Sequence, residues 1–290
     1  HTHTEMLPNE LSVQGSPLEA WGGGIIRTGG MTILNSRGEE HSLHSIDEVS
    51  WYDVTAGEWT DLPALPKGRS SHDTAIIGST LYAVGGWSMD AESGDRNWFD
   101  DVATLDLSAE NPRWASIPSP FQRRALAACA REGRRVGVGG RKAARGMSNG
   151  VDSFDPNSGE WSNGPDFPGS AFGVAGDVVG DRVFVSGSDG QVYAWKIGEP
   201  AWTEAGSLTF PRFFHQVAAD SAGDLRVLGG ISRGVRPVHV ERLKLSDAGS
   251  PVAMMQHWTV PSPMASKNRQ GMFVNDGWLA MFGGNSSTGQ

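Results

Sequence analysis

The chain of 290 residues holds one cysteine, Cys129, and only three tyrosines, Tyr52, Tyr82 and Tyr193. A lone cysteine excludes an internal disulfide framework and leaves the redox compartment open. Its place in the apolar run "ALAACA" reads as a buried structural thiol rather than a reactive one. No apolar run approaches the length of a membrane-spanning helix, and no secretory leader is visible. Basic residues are the minority, 24 Lys and Arg against 33 Asp and Glu, for a net charge of −9. That balance argues against nucleic acid as a partner, although an acidic body can still carry a basic patch. No glycine-rich phosphate loop stands between a strand and a helix. The acid-rich "DAESGDRNWFDD", Asp90 to Asp101, lacks calcium-loop spacing and reads as a solvated loop. "HTH" at residues 1–3 could chelate copper or nickel only if His1 carried a free amine. No metal or other cofactor is therefore expected. "NSS" at Asn285 matches a glycosylation acceptor, a frequent accidental match.

Glycine, proline and tryptophan are abundant at 39, 16 and 11 copies, a profile of short strands and many turns. The stretch "RSSHDTAIIGSTLYAVGGW", Arg69 to Trp87, shows how they are used. Two apolar runs, Ala75–Ile77 and Leu81–Val84, flank a turn at Gly78; an arginine opens the unit and a double glycine closes it. The pattern recurs from Arg123 to Gly139-Gly140, from Gly169 to Gly187-Ser188, from Arg212 to Gly229-Gly230, and from Arg269 to Gly283-Gly284. A degenerate first copy, "EAWGGGIIRTGGMTILNS", is expected to place Asn35-Ser36 where the others have the double glycine. Inner hairpins are thus expected near 20–36, 71–86, 125–140, 172–187, 214–230 and 270–284. A second pair of runs follows each of the first five copies. Its last run carries a tryptophan: Trp59, Trp114, Trp161, Trp202 or Trp258. Asp53, Asp106 and Asp155 supply turn chemistry between those runs. The unit is four antiparallel strands in roughly 45–50 residues, a propeller-blade spacing.

These motifs resemble the kelch repeat: a double glycine closing the second strand, an aromatic–Asp pair near the third, a tryptophan opening the fourth. The resemblance covers nearly the whole chain. It implies an all-β fold, a six-bladed β-propeller of kelch type forming a single domain over residues 1–290. The sixth copy lacks its outer strands at the C-terminus, so Thr2–Leu7 is expected to close that blade. Its third strand is left to residues absent here or beyond Gln290. Deleting residues 1–8 is expected to lower the melting temperature by several degrees.

In an antiparallel hairpin, the start of strand one and the end of strand two lie at the same edge. Arg69, Arg123, Arg124, Arg212 and Arg269 at strand starts should share one face with Trp87, Arg141, Lys142, Asp189 and Arg233 after the second strands. That face is where propeller loops gather to bind. The expected ligand-binding set is Arg69, Trp87, Arg123, Arg124, Arg141, Arg212, Arg233 and Arg269. The expected partner is an acidic protein segment or an anionic glycan or small molecule, since guanidinium pairs bidentately with carboxylate. A structural reading stands beside it, in which these arginines hydrogen-bond carbonyls of the adjacent blade and Trp87 packs between blades. The resemblance extends to bacterial kelch mutarotases acting on sialic acid. For that enzymatic alternative His72, His215, Asp73 and Asp189 are the candidate acids and bases. The superfold shared with the galactose oxidase central domain also includes copper oxidases, but no tyrosine–cysteine–histidine motif supports that chemistry here. A monomer in a secreted or periplasmic setting is expected.

Overall fold

The computed structural model describes residues 13–33, 43–124, 126–131, 134–142, 146–220, 222–233, 237, 239–245, 251–259, 272–275 and 278–281. The first sheet is β1 (Leu18–Trp21), β2 (Gly24–Ile33), β3 (Leu43–Asp53) and β4 (Glu58–Leu62), in that order. The second joins β5 (Asp73–Ile77), β6 (Thr80–Val84), β9 (Asp101–Asp106) and β10 (Trp114–Pro118). Between its second and third strands a ribbon of β7 (Trp87–Met89) and β8 (Arg96–Trp98) projects.

A short pair, β11 (Arg123–Arg124) with β14 (Arg141–Lys142), brackets the third unit. Its sheet holds β12 (Ala127–Arg131), β13 (Arg134–Val138), β15 (Val151–Asp155) and β16 (Glu160–Gly164). The fourth sheet runs β17 (Ala175–Val179), β18 (Arg182–Ser186), β19 (Gln191–Lys196), β20 (Thr203–Ser207). The fifth runs β21 (Phe213–Ala219), β22 (Leu225–Ile231), β23 (His239–Leu245), β24 (Pro251–Thr259). A final hairpin pairs β25 (Met272–Asn275) with β26 (Trp278–Met281). Every pairing among the described strands is antiparallel.

The first strands of the units are neighbours in a cycle: β1 beside β5, then β12, β17, β21 and β25, and β25 again beside β1. That arrangement is a β-propeller. Thr2–Leu7, Asn35-Ser36, Arg269 and Gly283-Gly284 lie outside the described residues, so the N-terminal closure and those motif positions have no structural account.

The core lies between sheets rather than within one. Ile26 and Val49 of the first sheet pack with Leu81, Ala83 and Leu105 of the second. Cys129 is buried with Val151, Val174, Val183 and Trp195, at the junction of the third and fourth. Tryptophans reach across the same junctions with their polar ends satisfied. Trp114 Nε1 donates to the Pro63 carbonyl at 2.7 Å and Trp202 Nε1 to Pro165 at 3.0 Å. The aspartate turns form as read: Asp53, Asp106 and Asp155 each accept the backbone N–H two residues on.

Around the axis, carboxylates tie first strands together. Asp73 Oδ2 accepts the Ala128 N–H at 2.6 Å, and Asp177 Oδ2 accepts Ala219 at 2.7 Å. Thr74 donates to Glu19 at 3.0 Å. Burial pushes the Asp177 carboxyl up from 3.8 to about 6; two backbone N–H bonds oppose it and the Asp73 charge adds to it. A raised carboxyl pKa means the native state holds a proton that the unfolded chain releases. Its contribution is present below the unfolded value and is lost as pH climbs through the folded one. Asp177→Asn is therefore expected to flatten the fall in stability between about pH 4 and 7, by up to about 3 kcal/mol. Melting curves across that range test it; parallel profiles for wild type and variant would contradict it.

Candidate functional site

Three arginines at unit starts share one environment, and it faces inward. Arg69 is 2% exposed, Arg123 4% and Arg212 0%. Arg69 Nη1 donates to the carbonyls of Ala83 and Gly85, and Nη2 to Asp101 Oδ1 at 2.5 Å. Arg123 Nη1 donates to Gly139 and Gly150, while Nη2 pairs with Asp152. Arg212 donates to Gly229 and His239, both at 3.1 Å, and pairs with Glu241 at 2.5 Å. Each guanidinium thus clips the first glycine of its own double glycine to the start of its third strand. Burial lowers the pKa of all three guanidinium groups, Arg123 to about 10.

The double glycine completes the device from the other side. Gly30 N–H donates to the Arg69 carbonyl of the next unit at 2.8 Å, Gly86 to Arg123 at 2.7 Å, and Gly140 to Ala171 at 2.7 Å. Gly85 and Gly86 take positive φ, 66° and 90°. Gly29 and Gly30 do the same at 53° and 118°. This corrects the reading of the first copy: its double glycine is Gly29-Gly30, not Asn35-Ser36. In the second and third units the arginine and the double glycine bracket the hairpin because together they bind the blade to itself and to its neighbour.

His72 and His215 occupy equivalent places three residues after their arginines, and both are buried. His215 Nε2 meets Ser186 Oγ of the preceding unit at 2.7 Å. A side chain on Gly86 would collide with His72 Cβ, and one on Gly230 with His215 Cβ, which shows how closely both histidines sit under the second glycine. Asp73 is buried, whereas Asp189 is exposed and caps the Ser170 N–H at 3.1 Å. The two histidines lie in different seams of the ring.

What gathers at the mouth is aromatic. Trp87 and Trp98 face each other across the β7–β8 ribbon, centroids 5.8 Å apart. Arg124, half-buried, lies 4.2 Å above the Trp87 ring, 5.5 Å from Trp98 and 5.7 Å from Phe172. Phe172 packs edge-on to Phe214, and Phe214 against Phe213, both at 5.0 Å. All five rings are partly exposed. Arg96, exposed, lies 5.7 Å from Trp87, and exposed Arg233 holds a positive φ of 48°. Arg141 belongs to β14 opposite Arg124.

Of the expected set, the structure brings Trp87 and Arg124 together and turns Arg69, Arg123 and Arg212 into the blades. Trp98, Phe172, Phe213 and Phe214 were not anticipated. The signal was present in "SAFGV" and "RFFHQ", where aromatics fill the slots just after the arginine position. Among the described residues no group of three or more His, Cys, Asp or Glu is arranged to hold a metal ion. No helix among them is long and apolar enough to cross a membrane.

Repeats, sheet order and comparison with known proteins together support a kelch-repeat β-propeller. It is 27% identical over 279 residues to Kelch-like protein 36 of Bos taurus, covering 90% of this chain and 43% of that one. Kelch-like protein 36 of Rattus norvegicus is 26% identical over 85% of this chain and 41% of its own. Kelch-like protein terF of Aspergillus terreus is 24% identical over 58% and 42%. The chain thus spans less than half the length of these relatives, which are eukaryotic and lend nothing to a bacterial origin. Among solved structures, the one described as "Structure of YjhT" superposes with a TM-score of 0.65 at 14% identity. It covers 85% of this chain and 84% of that one, a likeness of fold. No family model matches the chain.

Proposed function

We propose that this chain is a six-bladed kelch propeller that recognises an acidic protein segment at the mouth of its ring. β25–β26 would be the inner half of the sixth blade, with Thr2–Leu7 as its outer strand. The observation that carries the ligand reading is the Arg124 guanidinium laid on the Trp87 face beside Trp98 and Phe172. A guanidinium over an aromatic ring can still offer N–H groups to a carboxylate. Arg233 would add positive field, while Asp90, Glu92 and Asp95 near the ribbon tip would repel misplaced acids. Arg69, Arg123 and Arg212 would serve this surface indirectly, by holding the blades that carry it. An anionic sugar is the second ligand class, since its carboxylate would meet the same arginine and its ring face the same tryptophan.

Arg124→Ala tests the reading. A charge-assisted bond in a partly dry site contributes about 1.5–3 kcal/mol, so affinity for an Asp/Glu-rich peptide should fall roughly tenfold or more. The melting temperature should move little, and added salt should weaken wild-type binding. Calorimetry with the acidic peptide, sialic acid and a neutral sugar separates the cases. Equal affinity for all three, or no loss in the variant, would end the proposal.

A further inference from the structure

Phe214 sits in the left-handed region, φ 53°. A bulky side chain there is a true outlier. The equivalent slot, two residues after the arginine position, is Gly15 at φ 66° in the first unit, Ser71 at 53° in the second and Gly173 at 69° in the fourth. The backbone task of that slot needs no ring. Phe214 N–H donates across the seam to the Gly173 carbonyl at 2.8 Å, a bond that glycine or serine could make equally. The neighbouring unit also makes room for the ring, because a Cβ on Gly173 would lie 2.9 Å from Phe214 Cδ1. Strain of this kind concentrates at ligand clamps.

The ring is only half-buried, and it meets Phe172 and Phe213 at 5.0 Å. Phe172 in turn flanks Arg124. Cationic and apolar surfaces therefore adjoin at the mouth, and their complement is a carboxylate next to an apolar ring.

We propose that Phe214 is a specificity-determining residue of the mouth, forming with Phe172 and Phe213 a seat for an aromatic side chain beside the carboxylate that Arg124 grips. The partner is then a protein segment that pairs acidic residues with an aromatic one. This rests on the mouth being the recognition surface.

Two synthetic pentapeptides test it, one with phenylalanine between two glutamates and two aspartates, the other with alanine in its place. Wild type should bind the phenylalanine peptide about tenfold tighter, the effect of one modest anchor. Phe214→Gly and Phe214→Ser should bring that ratio to about one and leave affinity for the alanine peptide unchanged. The glycine variant's melting temperature should stay level or rise, because glycine relieves the strain; serine keeps a Cβ and should stay near wild type. Phe214→Leu should keep part of the preference. A wild type with no preference, or glycine and serine variants that retain it, would overturn the proposal while leaving Arg124-dependent acid binding intact. A collapse in melting temperature with both peptides weakened alike would overturn it in favour of a packing role. Failure of wild type to bind either peptide would remove the acidic-segment reading and this inference together.

Discussion

Arg212→Ala is expected to lower stability by about 3–5 kcal/mol, because it strands a buried charge. Arg212 and Glu241 are both 0% exposed. Glu241 keeps the Thr209 N–H at 2.7 Å and the Phe210 N–H at 3.4 Å, yet loses its counter-charge. Two carbonyls, of Gly229 and His239, lose their donor at the same stroke. For a chain of this size the melting temperature should drop by roughly 10 °C. Removing the acid as well, in Arg212→Met with Glu241→Leu, should recover much of the loss, since an apolar pair can replace a buried ion pair. Thermal unfolding of both variants checks this. An Arg212→Ala protein that melts with wild type would mean the guanidinium is not the clip described.

Gly85→Ala should be nearly as damaging, and its cause can be isolated. Gly85 has φ 66°, and a Cβ there would lie 2.4 Å from the Arg123 carbonyl oxygen of the next blade. The neighbouring Gly86 N–H bonds that same oxygen at 2.7 Å, so the seam cannot open without breaking it. The backbone conformation costs an alanine roughly 1–2 kcal/mol, and overpacking typically adds about 1–3 more. Gly78 has φ 60° with nothing within 4 Å of its would-be Cβ. Gly78→Ala should therefore show only the first cost. Chemical denaturation of the two variants compares them; equal losses would deny the close approach between blades.

The ring was legible because its signals are local and repeated: a turn glycine, a double glycine and a tryptophan in most units. The first unit misled because β2 does not stop at its double glycine. It runs on as Gly24–Ile33 along a long β3, with a register shift between Thr28 and Gly30. A structural role for the arginines was readable, but its partners were not. Their acids, Asp101, Asp152 and Glu241, stand 32, 29 and 29 residues further on, in third strands, too far along the chain to read as pairs before the fold is known. Cys129 was readable from its run alone. The aromatic mouth was hidden in plain composition, since a Phe after a strand start resembles core until the ring order shows which slots share a face. Phe214 needed its backbone angle as well.

The central claim is that ligand contacts fall on the Trp87–Arg124 cluster while the buried arginines hold the blades. Indole N–H resonances report on it directly. In a nitrogen–proton correlation titration with the acidic peptide, Trp87 and Trp98 should shift saturably. Trp114 and Trp202, bonded to Pro63 and Pro165 between outer strands, should stay in place. Saturable shifts at Trp114 or Trp202, with Trp87 and Trp98 unmoved, would contradict the account.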